Sequence, residues 1–408
     1  MLEGSAISMK YIVILADGAA DTAVETLDGK TPLEAAVKPN IDYFASMGEV
    51  GMVKTVPEGY PPGSDVANLA VFGYDPQKYY TGRSPLEAES IGVPLKLSDT
   101  TFRANVVTLS DEESYADKTM VDYSSDEITT EEAHILIDAV NKELKCEEYE
   151  FFGGTSYRHL LVWHNKENEF SLTPPHDISG RVVGQYLPKD NTLLALMEKS
   201  YGILKDHPIN KDRINRGLHP ANSVWIWGNG TKPDLDTYKD KFGISGTVIS
   251  AVDLIKGIGN CAGLDVVEVE GATGTVHTNF DGKAKAAINA INSGADFLYV
   301  HLEAADEAGH RGEIDNKVLS IELIDSKIVA PIAEHLRNIG EDFHMLIMPD
   351  HPTPLNIMTH TSDPVPYIIY KSEAEVPSDV KSYTEANAAK TGVYVECGHT
   401  LIEKLLGK

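Results

Sequence analysis

Short apolar runs alternate with longer amphipathic stretches along most of this chain. Helical spacing of apolar residues is clearest at 283–292 and 318–336. Buried strands separated by helices are typical of an α/β fold, with a mostly parallel sheet sandwiched between helices. The runs that predict buried strands are 11–16, 224–227, 247–251, 266–269, 297–302, 345–348 and 367–370.

The middle of the chain has its own pattern. Residues 100–208 contain apolar runs at 104–109 and 159–164 and a helical repeat at 131–144. We therefore predict two domains: a discontinuous core formed by 9–99 and 209–408, and an inserted α+β cap domain formed by 100–208. Residues 1–8 are expected to be an extension ahead of the first strand.

Composition favours an ordinary globular protein, with 42% hydrophobic and 24% charged residues. Cys146, Cys261 and Cys397 are far apart, which predicts reduced cysteines in a cytoplasmic protein rather than disulfides. The first apolar run follows no basic segment and stops at Asp17, so we expect neither a signal peptide nor a membrane span.

The formal net charge is −27. Nucleic acid and anionic membranes are bound through clustered Lys and Arg side chains, so this composition argues against both as partners. An anionic substrate would need locally concentrated positive charge, which bound cations would supply. Composition leaves the oligomeric state open.

Six Asp and His side chains come directly after predicted strands or shortly beyond them. In α/β sheets, ligands bind beyond the carboxyl ends of the strands, so these side chains should converge on one edge. Two of them, at 306 and 310, would share a helix face because they are four residues apart. The six are Asp17, Asp306, His310, Asp350, His351 and His360.

A serine precedes an apolar run, whereas the six Asp and His residues follow apolar runs. Ser64 lies in the segment Pro62-Gly63-Ser64-Asp65, immediately before the apolar run 66–72. This pattern predicts a turn leading into a helix, where a serine can cap the helix or face a bound phosphate. Asp65 would orient the serine or serve as the acid of the first turn.

Six Asp and His donors plus a serine are too many for one tetrahedral ion and about right for two adjacent ions. Two neighbouring ions are common machinery for displacement at phosphorus. A coordinated hydroxyl could be activated as a metal-bound water is, without a His–Asp triad. The sequence therefore predicts a two-metal phosphoryl-transfer enzyme with Ser64 as the nucleophile.

Basic and neighbouring residues are the candidates for substrate binding, because Arg recognises phosphate and carboxylate through paired donors. Surface salt bridges are the alternative role for each of them. No GxxxxGK[ST] phosphate loop is present. The candidates are Arg83, Arg158, His159, His176, Asp177, Arg213 and Lys283.

At these positions the chain resembles the alkaline phosphatase superfamily and, more closely, the archaeal-type cofactor-independent phosphoglycerate mutases. The resemblance extends over nearly the whole length from Met9. Besides the donor segments, it rests on Ala16-Asp17-Gly18, Gly82-Arg83-Ser84-Pro85-Leu86-Glu87-Ala88 and Gly271-Ala272-Thr273-Gly274.

This resemblance implies an alkaline-phosphatase-like core, a small phosphorylated metabolite as substrate, and Ser64 as the phosphorylated residue. The cofactors implied are two divalent ions, manganese first, with magnesium, zinc or cobalt as alternatives that the mixed donors do not separate. One ion would be held by Asp306, His310 and His360, and the other by Asp17, Ser64, Asp350 and His351.

The chain departs from the family pattern at one place. Many of these mutases have Asp-His-Ser-Thr where this chain has Asp350-His351-Pro352-Thr353. With Lys118-Thr119-Met120-Val121-Asp122-Tyr123, this version resembles a branch that has been proposed to be homoserine kinases.

We predict interconversion of 3- and 2-phosphoglycerate. Phosphotransfer to homoserine is the alternative, followed by a metal-dependent phosphatase. An intact nucleophile beside intact donors argues against a binding module without turnover.

Overall fold

A computed structural model describes residues 9–167 and 170–408; the extension predicted for 1–8 lies outside the described residues. The chain divides into a core unit, Met1–Tyr80 with Leu235–Lys408, and an inserted unit, Thr81–Asp234. The sequence had placed these boundaries at 99/100 and 208/209. Within the described ranges, no helix is both long enough and apolar enough to cross a membrane.

The strands, numbered in chain order, are short and mostly buried. They are β1 Lys10–Ala16, β2 Glu49–Val53, β3 Thr100–Leu109, β4 Met120–Asp122, β5 Tyr149–Phe152, β6 Arg158–Trp163, β7 Ser223–Thr231, β8 Gly246–Ile249, β9 Asp265–Val267, β10 Phe297–Leu302, β11 Phe343–Met348, β12 Val365–Lys371 and β13 Tyr394–Val395.

The helices range from single turns to about four turns. They are α1 Pro32–Ala35, α2 Pro39–Ser46, α3 Ser64–Val71, α4 Pro76–Tyr79, α5 Ser84–Ser90, α6 Thr130–Leu144, α7 Asn191–Leu204, α8 Pro208–Asn215, α9 Tyr238–Phe242, α10 Asp253–Cys261, α11 Phe280–Asn292, α12 Ala304–Arg311, α13 Ile314–Ile324, α14 Ala330–Ile339, α15 Glu385–Lys390 and α16 Leu401–Leu406.

The core unit is built on an eight-stranded sheet with the order β13-β2-β12-β11-β1-β10-β8-β9. The strands from β11 to β9 are parallel, and β12 runs antiparallel to both its neighbours. Every residue of β10 and β11 is buried, as expected for central strands covered on both faces. The predicted α/β fold with a mostly parallel sheet is confirmed.

Strand register brings the predicted donors to one edge of this sheet. Ala16 at the end of β1 pairs with Leu302 at the end of β10, and Leu15 pairs with Met348 at the end of β11. The residues that follow these three strands therefore emerge side by side. Helix α12 begins directly after β10, and ends where Gly312 adopts a left-handed conformation.

The inserted unit has its own antiparallel sheet, in which β3 pairs with β4, β6 and β7, and β5 pairs with β6. Apolar residues of α6 and α7 complete its core. The run 224–227, which the sequence assigned to the main core, lies in β7 of this second sheet. A buried apolar run predicts a strand, but its partner strand is set by long-range packing.

Candidate active site

Asp17 follows β1 and is 1% exposed. Its Oδ2 accepts a hydrogen bond from His301 Nε2 at 2.8 Å. Its Oδ1 is buried, and finds no hydrogen-bond partner among the described residues. Burial, with Asp350 and Asp306 nearby, raises the pKa of Asp17 well above its ordinary value. A buried carboxylate with an unpaired oxygen among other acids fits a place where a cation binds.

Asp350 and His351 follow β11 and complete the first donor group with Asp17. Asp350 Oδ1 accepts from the backbone N–H of Gly18 at 3.2 Å, and Oδ2 accepts from Asn68 Nδ2 at 2.7 Å. His351 Nε2 lies 3.3 Å from Asp350 Oδ2 and 3.5 Å from Asp17 Oδ1. The ligand atoms of the three residues lie within 4.8 Å of one another.

Asp306, His310 and His360 form the second donor group. Asp306 and His310 stand one turn apart on α12, and His360 follows β11 in a loop. The Nε2 atoms of the two histidines are 2.8 Å apart, and they lie 3.4 and 3.3 Å from the Asp306 carboxylate oxygens. The atoms of Asp306, His351 and His360 also lie within 4.8 Å of one another, so His351 joins the two groups.

The ionisation of the second group follows from these contacts. Burial alone would favour the neutral form of Asp306, but hydrogen bonds from His310 and His360 hold its pKa well below the ordinary value. The hydrogen bond to Asp306 raises the pKa of His310 to about 9. Asp306 is therefore a carboxylate, and His310 carries a proton at neutral pH that a bound cation would displace. Carboxylate and imidazole groups are donor types that suit divalent metal ions.

Ser64 is the first residue of α3, and Gly63 occupies the capping position. Its hydroxyl therefore does not cap the helix. The Oγ atom lies 3.0 Å from His351 Nε2, beside the first donor group. Asp65 accepts from Tyr80 Oη at 2.6 Å and from the backbone N–H of Val66 at 2.9 Å, so it serves the local turn. The helix cap, one of the two roles considered for Ser64, is therefore not the role of this hydroxyl, and its contact with phosphate stays a prediction.

His301 was missed by the sequence analysis. It lies in β10, fully buried, between Asp17 and Ser250, whose Oγ is 3.2 Å from His301 Nδ1. Burial lowers the pKa of His301 to about 3, so the ring is neutral and its Nε2–H donates to Asp17. A histidine inside an otherwise apolar buried strand was the available signal, because such a ring needs a polar partner.

Lys283 lies in α11 and is fully buried. Its ammonium donates to the carbonyl oxygen of His301 at 3.0 Å. Burial lowers the pKa of Lys283 to about 8. It thus contacts the backbone of the strand that carries His301, and its predicted contact with substrate stays a prediction.

Two arginines of the inserted unit share the carboxylate of Glu87, and Arg158 lies near one of them, Arg103. Arg83 Nε donates to Glu87 Oε1 at 2.9 Å, and Arg103 Nε donates to Oε2 at 3.1 Å. Burial, with Arg83 and Arg158 nearby, lowers the pKa of Arg103, which also lies 4.5 Å from the Trp227 ring. The sequence analysis named Arg83 and Arg158 but missed Arg103, which lies inside a strand.

His176 and Asp177 are exposed and lie in the same unit. His176 Nε2 is 3.6 Å from Asp177 Oδ1. The imidazole ring packs edge-on 5.4 Å from Trp227 and 6.0 Å from Tyr123. These two residues therefore extend the aromatic surface beside Arg103.

The sequence named Arg213 as a candidate for substrate binding, but in the structure its side chain is buried among acceptors of its own unit. Its side chain is 2% exposed and donates to Glu132 Oε2 at 2.5 Å, to Ser125 O at 2.5 Å and to His219 O at 2.9 Å. These contacts tie α8 to α6 and to two loops. We therefore leave Arg213 out of the proposed substrate site.

His159 is also buried, at 2% exposure, and its Nδ1 accepts from the backbone N–H of Gly154 at 3.0 Å. Burial, with His134 nearby, lowers its pKa to about 3. Between pH 6.5 and 3 the unfolded chain binds a proton that the folded chain excludes, so stability falls as the pH falls. Between pH 7 and pH 5 this difference in proton binding lowers the free energy of unfolding by about 2 kcal/mol.

We predict that His159→Asn, which removes the titrating ring, reduces the loss of unfolding free energy between pH 7 and 5 by about 2 kcal/mol. Urea denaturation of wild type and variant at both pH values measures it. The variant His335→Asn is the control, because His335 is only partly buried, and it should lose as much unfolding free energy as wild type. An equal loss in His159→Asn and wild type would contradict the prediction.

An α/β sheet that presents a serine and six Asp and His donors at one edge defines a metal-dependent phosphoryl-transfer class of enzyme. The family model described as 2,3-bisphosphoglycerate-independent phosphoglycerate mutase matches residues 45–210. A Methanosarcina acetivorans protein of that name is 48% identical, over 94% of this chain and 96% of its own. The chain belongs to the family of 2,3-bisphosphoglycerate-independent phosphoglycerate mutases.

Two solved structures have a similar fold over nearly the whole chain. A Pyrococcus horikoshii protein has a TM-score of 0.83 and 30% identity, with 98% of this chain and 97% of that chain covered. The cofactor-independent phosphoglycerate mutase of Thermoplasma acidophilum has a TM-score of 0.68 and 26% identity, with 98% and 99% covered. The resemblance to the cofactor-independent phosphoglycerate mutases, stated from the motifs, is confirmed.

Proposed function

We propose that this chain interconverts 3- and 2-phosphoglycerate through a phosphorylated Ser64. The observation that carries the proposal is the position of the Ser64 hydroxyl, 3.0 Å from His351 Nε2 and beside two groups of metal-type donors. The family relatives support the proposal, because the Methanosarcina acetivorans protein is named a phosphoglycerate mutase.

The donors fit two divalent ions. The unpaired, buried Oδ1 of Asp17 supports one site, and the close approach of His310 and His360 around Asp306 supports the other. When bound, such ions would offset the charge of a phosphoryl group and lower the pKa of a hydroxyl. Manganese is proposed first. The residues proposed to hold the ions are Asp306, His310 and His360 for one, and Asp17, Ser64, Asp350 and His351 for the other.

The reaction conserves the phosphoryl group. Ser64 loses its hydroxyl proton, and its Oγ forms a bond to phosphorus as the phosphorus–oxygen bond to glycerate breaks. The glycerate oxygen leaves with the electron pair and takes up a proton. The other glycerate hydroxyl then loses its proton and attacks phosphoserine, so the Ser64 oxygen leaves and is protonated again. Water must be kept from the phosphoserine, because hydrolysis would release phosphate.

Homoserine as the phosphoryl acceptor is the alternative that the sequence suggested. The contacts made by the residues behind that suggestion do not support it. The Lys118 ammonium is buried in the inserted unit, where it donates to the carbonyl oxygens of Ser110 and Glu112. Pro352 forms backbone bridges with Ala19 and Ala20 in the core unit. Both residues serve the fold in these contacts, and homoserine phosphorylation remains an outcome of the test below.

Phosphorus NMR of the purified, manganese-loaded protein tests the proposal. With 3-phosphoglycerate, the resonance of 2-phosphoglycerate should grow to a constant ratio without inorganic phosphate. Growth of inorganic phosphate alone would indicate a phosphatase. A parallel sample with homoserine and ATP should stay unchanged; formation of phosphohomoserine there, without mutase activity, would contradict the proposal. The Ser64→Ala protein is the matched control for both samples.

We also propose that Arg158 binds an anionic group of the substrate. Its side chain is exposed, with the guanidinium 5.5 Å from the Tyr157 ring and near the charge of Arg103. Because a charge-assisted hydrogen bond would be lost, Arg158→Ala should raise KM for 3-phosphoglycerate about 10-fold. Steady-state kinetics measures it, with phosphate release followed in parallel.

Looser substrate binding should also raise the share of hydrolysis relative to transfer, since transfer depends on keeping glycerate close to phosphoserine. Arg181→Ala is the matched control, because Arg181 is an exposed arginine of the same unit that donates to Tyr186 Oη. If KM and the hydrolysis share of Arg158→Ala both equal those of Arg181→Ala, Arg158 does not bind substrate.

A further inference from the structure

Thr353 contacts both donor groups with a single hydroxyl. The side chain is fully buried in the loop after β11. Its Oγ1 lies 2.5 Å from Asp306 Oδ1 and 3.3 Å from His351 Nδ1. Asp306 belongs to the second donor group and His351 joins the two groups.

The chemistry of a hydroxyl assigns the direction of these two hydrogen bonds. A hydroxyl has one hydrogen to donate, and a carboxylate can only accept. The Thr353 hydrogen therefore points to Asp306, which is the closer partner. Toward His351 the hydroxyl can only accept, so His351 Nδ1 carries the ring hydrogen. The opposite atom, Nε2, is then left with its lone pair, and it is the atom that faces Ser64, Asp17 and Asp350.

The backbone of Thr353 is held on both sides. Its N–H donates to Ala20 O at 3.2 Å, and its carbonyl oxygen accepts from Lys317 Nζ at 2.7 Å. Lys317 is itself paired with Asp21 at 2.7 Å, and both side chains are fully buried. Asp21 also accepts from the backbone N–H of Leu355 at 3.1 Å. This buried ion pair fixes the loop on either side of the threonine.

Thr353 fits between two glycines, because neither of them has a side chain that would occupy its space. A Cβ atom on Gly18 would lie 2.6 Å from both Thr353 Oγ1 and Asp306 Oδ1. A Cβ atom on Gly309 would lie 2.6 Å from Thr353 O and 2.9 Å from its Cγ2. Side-chain atoms at those distances would displace the hydroxyl from the carboxylate. The close fit therefore keeps one position for Thr353 between the two groups.

We propose that Thr353 is a positioning residue that couples the two metal sites, by fixing the ring hydrogen of His351 on Nδ1 and the orientation of the Asp306 carboxylate. The inference rests on the two-metal part of the proposed function. Partners that orient a ligand in this way typically change metal affinity by about 10- to 100-fold when removed. Because one hydroxyl serves both groups, its loss should weaken both binding steps.

The test compares Thr353→Val, which keeps the shape and removes the hydroxyl, with Thr353→Ser, which restores it. Calorimetric titration of each metal-free protein with Mn²⁺ should show two binding steps in wild type. We expect about 10- to 100-fold weaker binding in both steps for Thr353→Val, and near wild-type binding for Thr353→Ser. Thr247→Val is the control for replacing a buried threonine in the same unit, and should bind as wild type does.

A second readout follows the ring hydrogen directly. In protein labelled with ¹⁵N at histidine, NMR distinguishes the protonated ring nitrogen of His351 from the bare one. We expect hydrogen on Nδ1 in wild type and Thr353→Ser, and a mixture of both tautomers in Thr353→Val. A purely structural threonine would change stability without moving this signal.

The outcomes separate this inference from the function on which it rests. Two Mn²⁺ steps in wild type that are unchanged in Thr353→Val, with an unchanged His351 tautomer, would overturn the role of Thr353 and leave the proposed function intact. Two ions bound without mutase activity would overturn the substrate assignment, and the coupling could still be measured. A wild-type protein that binds fewer than two ions would overturn both.

Discussion

Replacing Ser64 by alanine is expected to reduce mutase turnover by about 10⁴-fold or more, because a covalent step loses its nucleophile. Among the described hydroxyls, the Oγ of Ser64 is the one that lies 3.0 Å from His351 Nε2, at the start of α3. The change removes one oxygen from a half-buried position, so the fold should be kept. Steady-state kinetics with 3-phosphoglycerate measures the loss.

Rapid quench followed by mass spectrometry gives the matching evidence for the intermediate. The wild-type peptide that contains Ser64 should gain the mass of one phosphoryl group during turnover, and the Ser64→Ala peptide should not. Ser46→Ala is the control, because Ser46 is a partly exposed serine of the core unit whose hydroxyl donates to Tyr43 O. Substantial turnover by Ser64→Ala would show that another group carries the phosphoryl transfer.

Removal of bound metal is expected to have a comparably large effect. The wild-type protein should contain two divalent ions, and stripping them with a chelator should lower turnover by about 10⁴-fold or more, since the charge that stabilises the transferring phosphoryl group is lost. Elemental analysis before and after reconstitution with Mn²⁺ measures the ions, and the same samples give the activity. One ion or none after reconstitution would rule out a two-metal site.

His310→Ala tests the second donor group within this prediction. The side chain is 35% exposed, so its removal should largely keep the fold while one ion is lost or bound much more weakly. His335→Ala is the matched control, because His335 is a partly exposed histidine on α14 that contacts Asn292. If His310→Ala still bound two ions as tightly as His335→Ala, His310 would not be a ligand.

The sequence by itself determined the fold class, the family and the segments that form the candidate site. Buried strands of a parallel sheet are apolar along their length, so β1, β10 and β11 could be recognised as runs that end at Asp17, near Asp306 and near Asp350. The rule that ligands bind at the carboxyl ends of such strands then brought residues from distant segments together.

Only the tertiary structure decided which polar residues share a partner. His301 and Thr353 orient donors through contacts with residues far along the chain, and Arg213 is occupied by three acceptors inside its own unit. The apolar run of β7 likewise joins β3 and not the main sheet. Periodicity reports which face of an element is buried, whereas a hydrogen bond or a strand pair depends on packing between segments, which local sequence does not encode.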